Sequence, residues 1–150
     1  MTFLEEYCLA LLDGDTLYGY DAAELFRRTA LSLVPMVNPD GIALVTGELS
    51  PDSAEYRAAQ EIAAAYPDIP FPEGWKANLL GVDLNLQYPA GWLQAREIKF
   101  SQGYTRPGPR DYVGRAPLTQ RESIAMAEFT RYPDPALTLA FPHQGETHHW

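Results

Sequence analysis

Seven prolines, Pro67, Pro70, Pro72, Pro89, Pro107, Pro109 and Pro117, crowd one third of this 150-residue chain. Each removes a backbone donor, fixes φ at about −65° and pushes the preceding residue out of the helical region, so neither a long helix nor a central strand can run through the stretch. Trp75, Tyr88, Trp92, Tyr104 and Tyr112 interleave with them. Tyr66 to Pro117 therefore reads as a long, irregular, aromatic-rich insertion. A connection of that length is expected either to form a binding surface or to belong to something larger.

Regular structure is predicted on both sides. Phe3, Leu4, Tyr7, Cys8, Leu11 and Leu12 share one helical face, and Asp13-Gly14 supplies the stop. Cys8, the single cysteine, sits in that apolar set and reads as a buried, inert thiol; alone, it also excludes an internal disulfide and a thiolate zinc cluster. Asp21 with Glu24, Asp52 with Glu55, and Thr119 with Glu122 have capping-box spacing, each ahead of a helix. Leu31 to Val37 is short, apolar and closed by Asn-Pro-Asp-Gly, which fits a buried strand ending in a turn, and Leu137 to Phe141 alternates as a strand does. Helices alternating with short apolar strands place the chain in the α/β class. Because it opens directly on a helix with no capping residue, the true start of the domain is expected to lie upstream.

Composition narrows the partners. A formal net charge of −9 with scattered basic residues repels a phosphate backbone, so nucleic acid is not expected as a partner. No apolar run approaches the roughly 20 residues that span a bilayer, so a membrane is not expected either. The opening MTFLEEYCLALLDG carries two glutamates and no basic residue, the wrong charge for a secretory signal, which leaves cytoplasm as the default compartment.

Spacing alone gives little chemistry. The three histidines, His143, His148 and His149, all lie in the last eight residues; His143 and Glu146 have an i, i+3 spacing, but Gly145 argues against a helix presenting both. No phosphate loop or nucleophile elbow is present. The better candidates are polar residues at predicted strand ends and turns: Asn38 and Asp40, Asp83 and Asn85, and His143 with Gln144. Ligands bind at such ends in open α/β sheets, although Asn and Asp also cap turns there.

Four ordered segments carry a family resemblance: VPMVNPDG (34–41), WKANLLGVDLNLQYPAGW (75–92), PRDYVGRAPLTQRES (109–123) and LTLAFPHQGE (137–146). In this order they resemble the central part of the zinc carboxypeptidase family. GVDLNLQYPAGW followed by EIKFSQGYTRPGPRDYVG is similar, more narrowly, to the γ-D-glutamyl-diaminopimelate endopeptidases. The resemblance implies a mixed-sheet α/β fold with helices on both faces, in which residues 1–150 form a single partial domain, truncated at both ends. It also implies zinc in the parent enzyme. That metal would be held by a His-x-x-Glu pair expected upstream of Met1 and by a histidine at the end of a later strand, with the catalytic glutamate expected beyond Trp150. Aligned without a gap, Pro142 occupies that histidine slot; His143 takes it if the strand end shifts by one residue. One histidine would not retain zinc firmly in this chain.

The same resemblance assigns substrate contacts. Asn85 matches an asparagine that helps seat the substrate. Leu86 stands where true carboxypeptidases have an arginine that grips a C-terminal carboxylate; leucine cannot form that bidentate pair, which disfavours an exopeptidase and suits the endopeptidases. Lys76 lies near a second family arginine and is the candidate oxyanion stabiliser. Leu80 is apolar where the related endopeptidases carry a further arginine. Gln144 completes the expected groove.

Three readings follow. The first is an incomplete metallopeptidase, inactive alone, whose parent hydrolyses γ-D-glutamyl-diaminopimelate amide bonds in cell-wall peptides. The second is a non-catalytic module that keeps the peptide groove. The third is a folded α/β piece with exposed apolar surface and marginal stability.

Overall fold

The computed structural model describes residues 2–132 and 135–139. It is mixed α/β, with six helices and one two-stranded sheet among the described residues. The chain divides into two compact units, Met1–Met36 and Val37–Trp150.

In the first unit, helix α1 spans Thr2–Asp13, as the apolar spacing predicts. Strands β1 (Thr16–Leu17) and β2 (Tyr20–Asp21) pair antiparallel, Thr16 opposite Asp21 and Leu17 opposite Tyr20. Tyr18 and Gly19 make the two-residue turn, both with positive φ (50° and 84°), which suits the twist of a tight hairpin. Helix α2, Ala22–Arg28, starts where the capping-box spacing places it: Asp21 accepts from the Glu24 N–H at 2.6 Å. The Glu24 carboxylate turns to Arg27 and Arg28 instead of closing the box.

Two expectations fail in this unit. Cys8 is exposed, not buried. A unit of this size has too little apolar area to cover every side of α1, and Leu9 and Leu12 are exposed with it. Leu31 to Met36 form no strand, and Leu31, Leu33, Val34 and Met36 are exposed.

In the second unit the predicted turn at Asn-Pro-Asp-Gly is a helix start. Asn38 caps α3 (Pro39–Thr46) by accepting from the Gly41 N–H at 3.1 Å, with Pro39 in the first turn. Helix α4 spans Ala54–Ala63 and is capped by Ser53, one residue later than the predicted Asp52. Helix α5 (Trp92–Ser101) lies inside the supposed insertion, and α6 spans Arg121–Arg131. Thr119 does not cap α6; Gln120 takes that position without a side-chain bond, because the Thr119 hydroxyl is turned to Gln87. Leu137 to Leu139 are exposed and form no strand.

The stretch 66–117 is not an insertion. Trp75 and Ala77 are buried with Leu44, Ala59 and Ala63 in one core cluster, and Phe71 meets both Tyr56 and Trp75 edge-on, with ring centres 5.2 and 5.9 Å apart. The backbone is held by pairing across the loop: Lys76 and Ala77 both donate to the Pro109 carbonyl at 2.8 Å, and Asp83 donates to the Tyr112 carbonyl at 2.9 Å. Asn38 joins α3 to the same segment, its Nδ2 donating to the Ala77 carbonyl at 2.9 Å. Outside α5 and one short 3₁₀ turn, the prolines keep regular elements out of this stretch without excluding a packed core.

Candidate functional site

The segment Trp75–Gln87 carries four of the expected site residues, Lys76, Asp83, Asn85 and Leu86. A buried carboxylate organises it. Asp83 is 1% exposed and accepts four hydrogen bonds: two from Lys76 Nζ at 2.8 and 3.1 Å, one from the Asn85 N–H at 3.2 Å and one from the Asp111 N–H at 3.1 Å. The Asn85 bond starts the 3₁₀ turn Leu84–Leu86. Leu84 is buried beneath that turn, Leu86 is half-buried, and Asn85 is exposed. A polar side chain is thus presented on a short, fixed turn.

Lys76 is half-buried, with its ammonium paired to Asp83. Its first role in this geometry is to neutralise that carboxylate. Asn78, 2% exposed, accepts from the Val82 N–H at 3.1 Å and donates to Gln120 and Glu122 at 2.9 and 3.2 Å, fastening the segment to the start of α6. Leu80 is exposed. Asp40, in the first turn of α3, is exposed and favours the positive end of that helix. His143 and Gln144 lie outside the described residues, as does Pro142.

Asp111 extends the charged cluster. Its φ of 67° is left-handed, a region that Asp and Asn tolerate better than other side chains. Lys99, from α5, meets its carboxylate at 2.7 Å and Arg110 meets it at 3.0 Å. Burial by itself pushes the Asp111 carboxyl up, but the hydrogen bond and charge of Lys99, joined by Arg110, outweigh it and hold the group below the usual carboxylate range. A depressed folded-state pKa adds stability above the unfolded-state value, and that contribution is lost as pH falls through the folded value. Asp111→Asn, which keeps the backbone preference, is therefore expected to lower stability by about 1 kcal/mol at neutral pH. The gap should close below the ordinary carboxylate range. Urea midpoints measured from neutral to strongly acid pH check this, and a gap that stays constant with pH would show that the ion pairs contribute nothing.

Neither Asn78 nor Gln87 was singled out from the sequence. Both are amides that bond to partners 26 to 44 positions away, Asn78 besides its local bond from the Val82 N–H, and no local pattern marks such long-range partners.

Residues 15–148 match the zinc carboxypeptidase family of peptidases. The chain belongs to that family of metallopeptidases. It is 47% identical over its full length to γ-D-glutamyl-L-diamino acid endopeptidase 1 of Lysinibacillus sphaericus, covering 36% of that protein. It is also 39% identical over its full length to the uncharacterized protein YqgT of Bacillus subtilis (strain 168), covering 38% of it. The chain thus spans less than two fifths of the length of these relatives. No solved structure matches it.

The family implies zinc in the whole peptidase. Among the described residues no group of three or more His, Cys, Asp or Glu side chains is arranged to hold a metal ion, and Asp83, the most buried carboxylate, is already saturated by Lys76 and two amides. The described donors therefore do not fit a zinc centre. No helix among them is long and apolar enough to cross a membrane.

Proposed function

We propose that this chain is part of a zinc peptidase that hydrolyses the amide bond between γ-D-glutamate and a diamino acid in cell-wall peptides, and that it contributes the substrate-seating turn, with Asn85 as the contact residue. The observation that carries the reading is the fixed Asp83 node, which presents Asn85 outward on the 3₁₀ turn. The 47% identity to a γ-D-glutamyl-L-diamino acid endopeptidase across the whole chain supports the choice of bond. Leu86, in place of a cationic residue, supports an endopeptidase over an enzyme that grips a terminal carboxylate. Lys76 is proposed to lend positive charge near the scissile carbonyl while it braces Asp83.

With its histidines confined to positions 143, 148 and 149 and a single cysteine, the chain alone is expected to release no diaminopimelate from L-Ala-γ-D-Glu-diaminopimelate in the presence of zinc. Cleavage by the isolated chain would contradict that expectation. A chimera tests the parent activity: this chain replaces the matching stretch of the Lysinibacillus sphaericus protein. The chimera is expected to cleave the γ-D-glutamyl bond, and Asn85→Ala is expected to raise its KM about tenfold with kcat less affected. A folded chimera that binds the peptide and never cleaves it would favour a non-catalytic peptide-binding module.

A further inference from the structure

The guanidinium of Arg110 is only half used. Its Nε donates to Asp111 Oδ2 at 3.0 Å, whereas Nη1 and Nη2 have no hydrogen-bond partner among the described residues, and the side chain is 37% exposed. Asp111 is itself held by Lys99 and, through its N–H, by Asp83. Pro109, immediately before Arg110, accepts from the Lys76 and Ala77 N–H groups. The backbone carrying Arg110 is therefore pinned on both sides to the segment that carries Lys76, Asp83 and Asn85.

Charge points the same way. In this cluster three cations, Lys76, Lys99 and Arg110, face two carboxylates, Asp83 and Asp111. One positive charge is left over in a chain whose formal net charge is −9. A planar fork anchored by one edge, with its two amino groups free, is shaped for a carboxylate, and anchoring lowers the entropy lost when it binds. A γ-linked glutamate leaves its α-carboxylate free, and a diamino acid carries carboxylates of its own, so the proposed substrate brings anions that an ordinary internal peptide lacks.

We propose that Arg110 is a specificity-determining residue that pairs through Nη1 and Nη2 with a free carboxylate of the γ-D-glutamyl-diamino acid substrate, which rests on the peptide-seating reading above. Leu86 and Leu80 supply no cation nearby in sequence, and Arg110 does so from the facing segment.

Calorimetric titration of the full chain with three synthetic peptides tests this: L-Ala-γ-D-Glu-diaminopimelate, the same peptide amidated at the D-glutamate α-carboxyl, and a version amidated at the diamino acid carboxyls. One of the two amidations is expected to weaken binding about tenfold to a hundredfold, and it identifies the carboxylate. Arg110→Gln should lose the same factor for the acid peptide and become indifferent to that amidation, and Arg110→Lys should recover only part. Three peptides that bind wild type equally overturn the role of Arg110, and this comparison needs no folded variant. Binding that is sensitive to Asn85→Ala yet blind to amidation sinks the Arg110 assignment alone, whereas no binding of any peptide sinks the seating reading with it.

Discussion

Replacing Gln87 with leucine is expected to destabilise the second unit by about 3 kcal/mol or more, and to lower its Tm by about 10 °C or more. Gln87 is fully buried. Its Nε2 donates to the Val113 and Ala116 carbonyls, and its Oε1 accepts from the Thr119 N–H and hydroxyl, both at 2.9 Å, and from the Gln120 N–H at 3.3 Å. Leucine matches the volume and none of the polarity. It would take the amide partner from the half-buried Ala116 carbonyl and from the Thr119 and Gln120 N–H groups together, while the Val113 carbonyl keeps only Trp92 Nε1 at 3.2 Å, and each group left unpaired away from water costs about 1–3 kcal/mol. Gly114 shows how tightly the amide is packed: at φ 84°, a Cβ there would run into Gln87 Nε2. Denaturant unfolding followed by circular dichroism measures the loss. A change below about 1 kcal/mol would mean that the loop 113–120 is held by something other than this side chain.

Asp83→Ala is the second large effect, expected at about 3–5 kcal/mol, because removing one partner of a buried pair leaves the other without compensation. Here the Lys76 ammonium would lose its counter-ion, and the Asn85 and Asp111 N–H groups would lose their acceptor together. Asp83→Asn keeps one oxygen acceptor and is expected to cost less, about 1–2 kcal/mol. The pair of variants separates charge from hydrogen bonding. Equal losses in both would show that the ion pair with Lys76 is the whole effect, and removing Lys76 first, in Lys76→Met, should shrink the cost of Asp83→Ala by double-mutant analysis. Because the Asp83 node sets the turn that presents Asn85, Asp83→Asn should also weaken peptide binding while the chain remains folded.

These two residues show what a sequence discloses and what it hides. Asp21 and Glu24 announce α2 because a cap is a contact between near neighbours, and the apolar spacing of residues 3–12 announces α1 for the same reason. Asn38-Pro39-Asp40-Gly41 is ambiguous: the residues that favour a turn also start a helix, and here Asn38 does the latter. Leu31 to Met36 has the composition of a buried strand, but a short apolar run carries no period that proves one. The largest misreading is 66–117. Its order comes from contacts such as Lys76 with Pro109, Asp83 with Tyr112 and Gln87 with Thr119, about thirty positions apart, and no window of sequence displays them.

The site divides in the same manner. Asp83 and Asn85 stand out as polar residues at a turn, whereas the roles expected of Lys76, Asn85 and Leu86 come from family resemblance. The structure brings these residues onto one fixed segment and adds Asp111, Lys99 and Arg110, which neither spacing nor resemblance singled out. The mixed sheet with helices on both faces is represented among the described residues by six helices and the β1–β2 pair alone.

The central claim is that the Asp83 node and its 3₁₀ turn form the seat of a γ-D-glutamyl peptide. The most direct measurement is an amide NMR titration of the ¹⁵N-labelled chain with L-Ala-γ-D-Glu-diaminopimelate. The expected result is saturable shifts concentrated at Asn85, Leu86, Arg110 and Asp111, with α1 and α2 unmoved. Shifts confined to the first unit, or none at millimolar peptide, would contradict it.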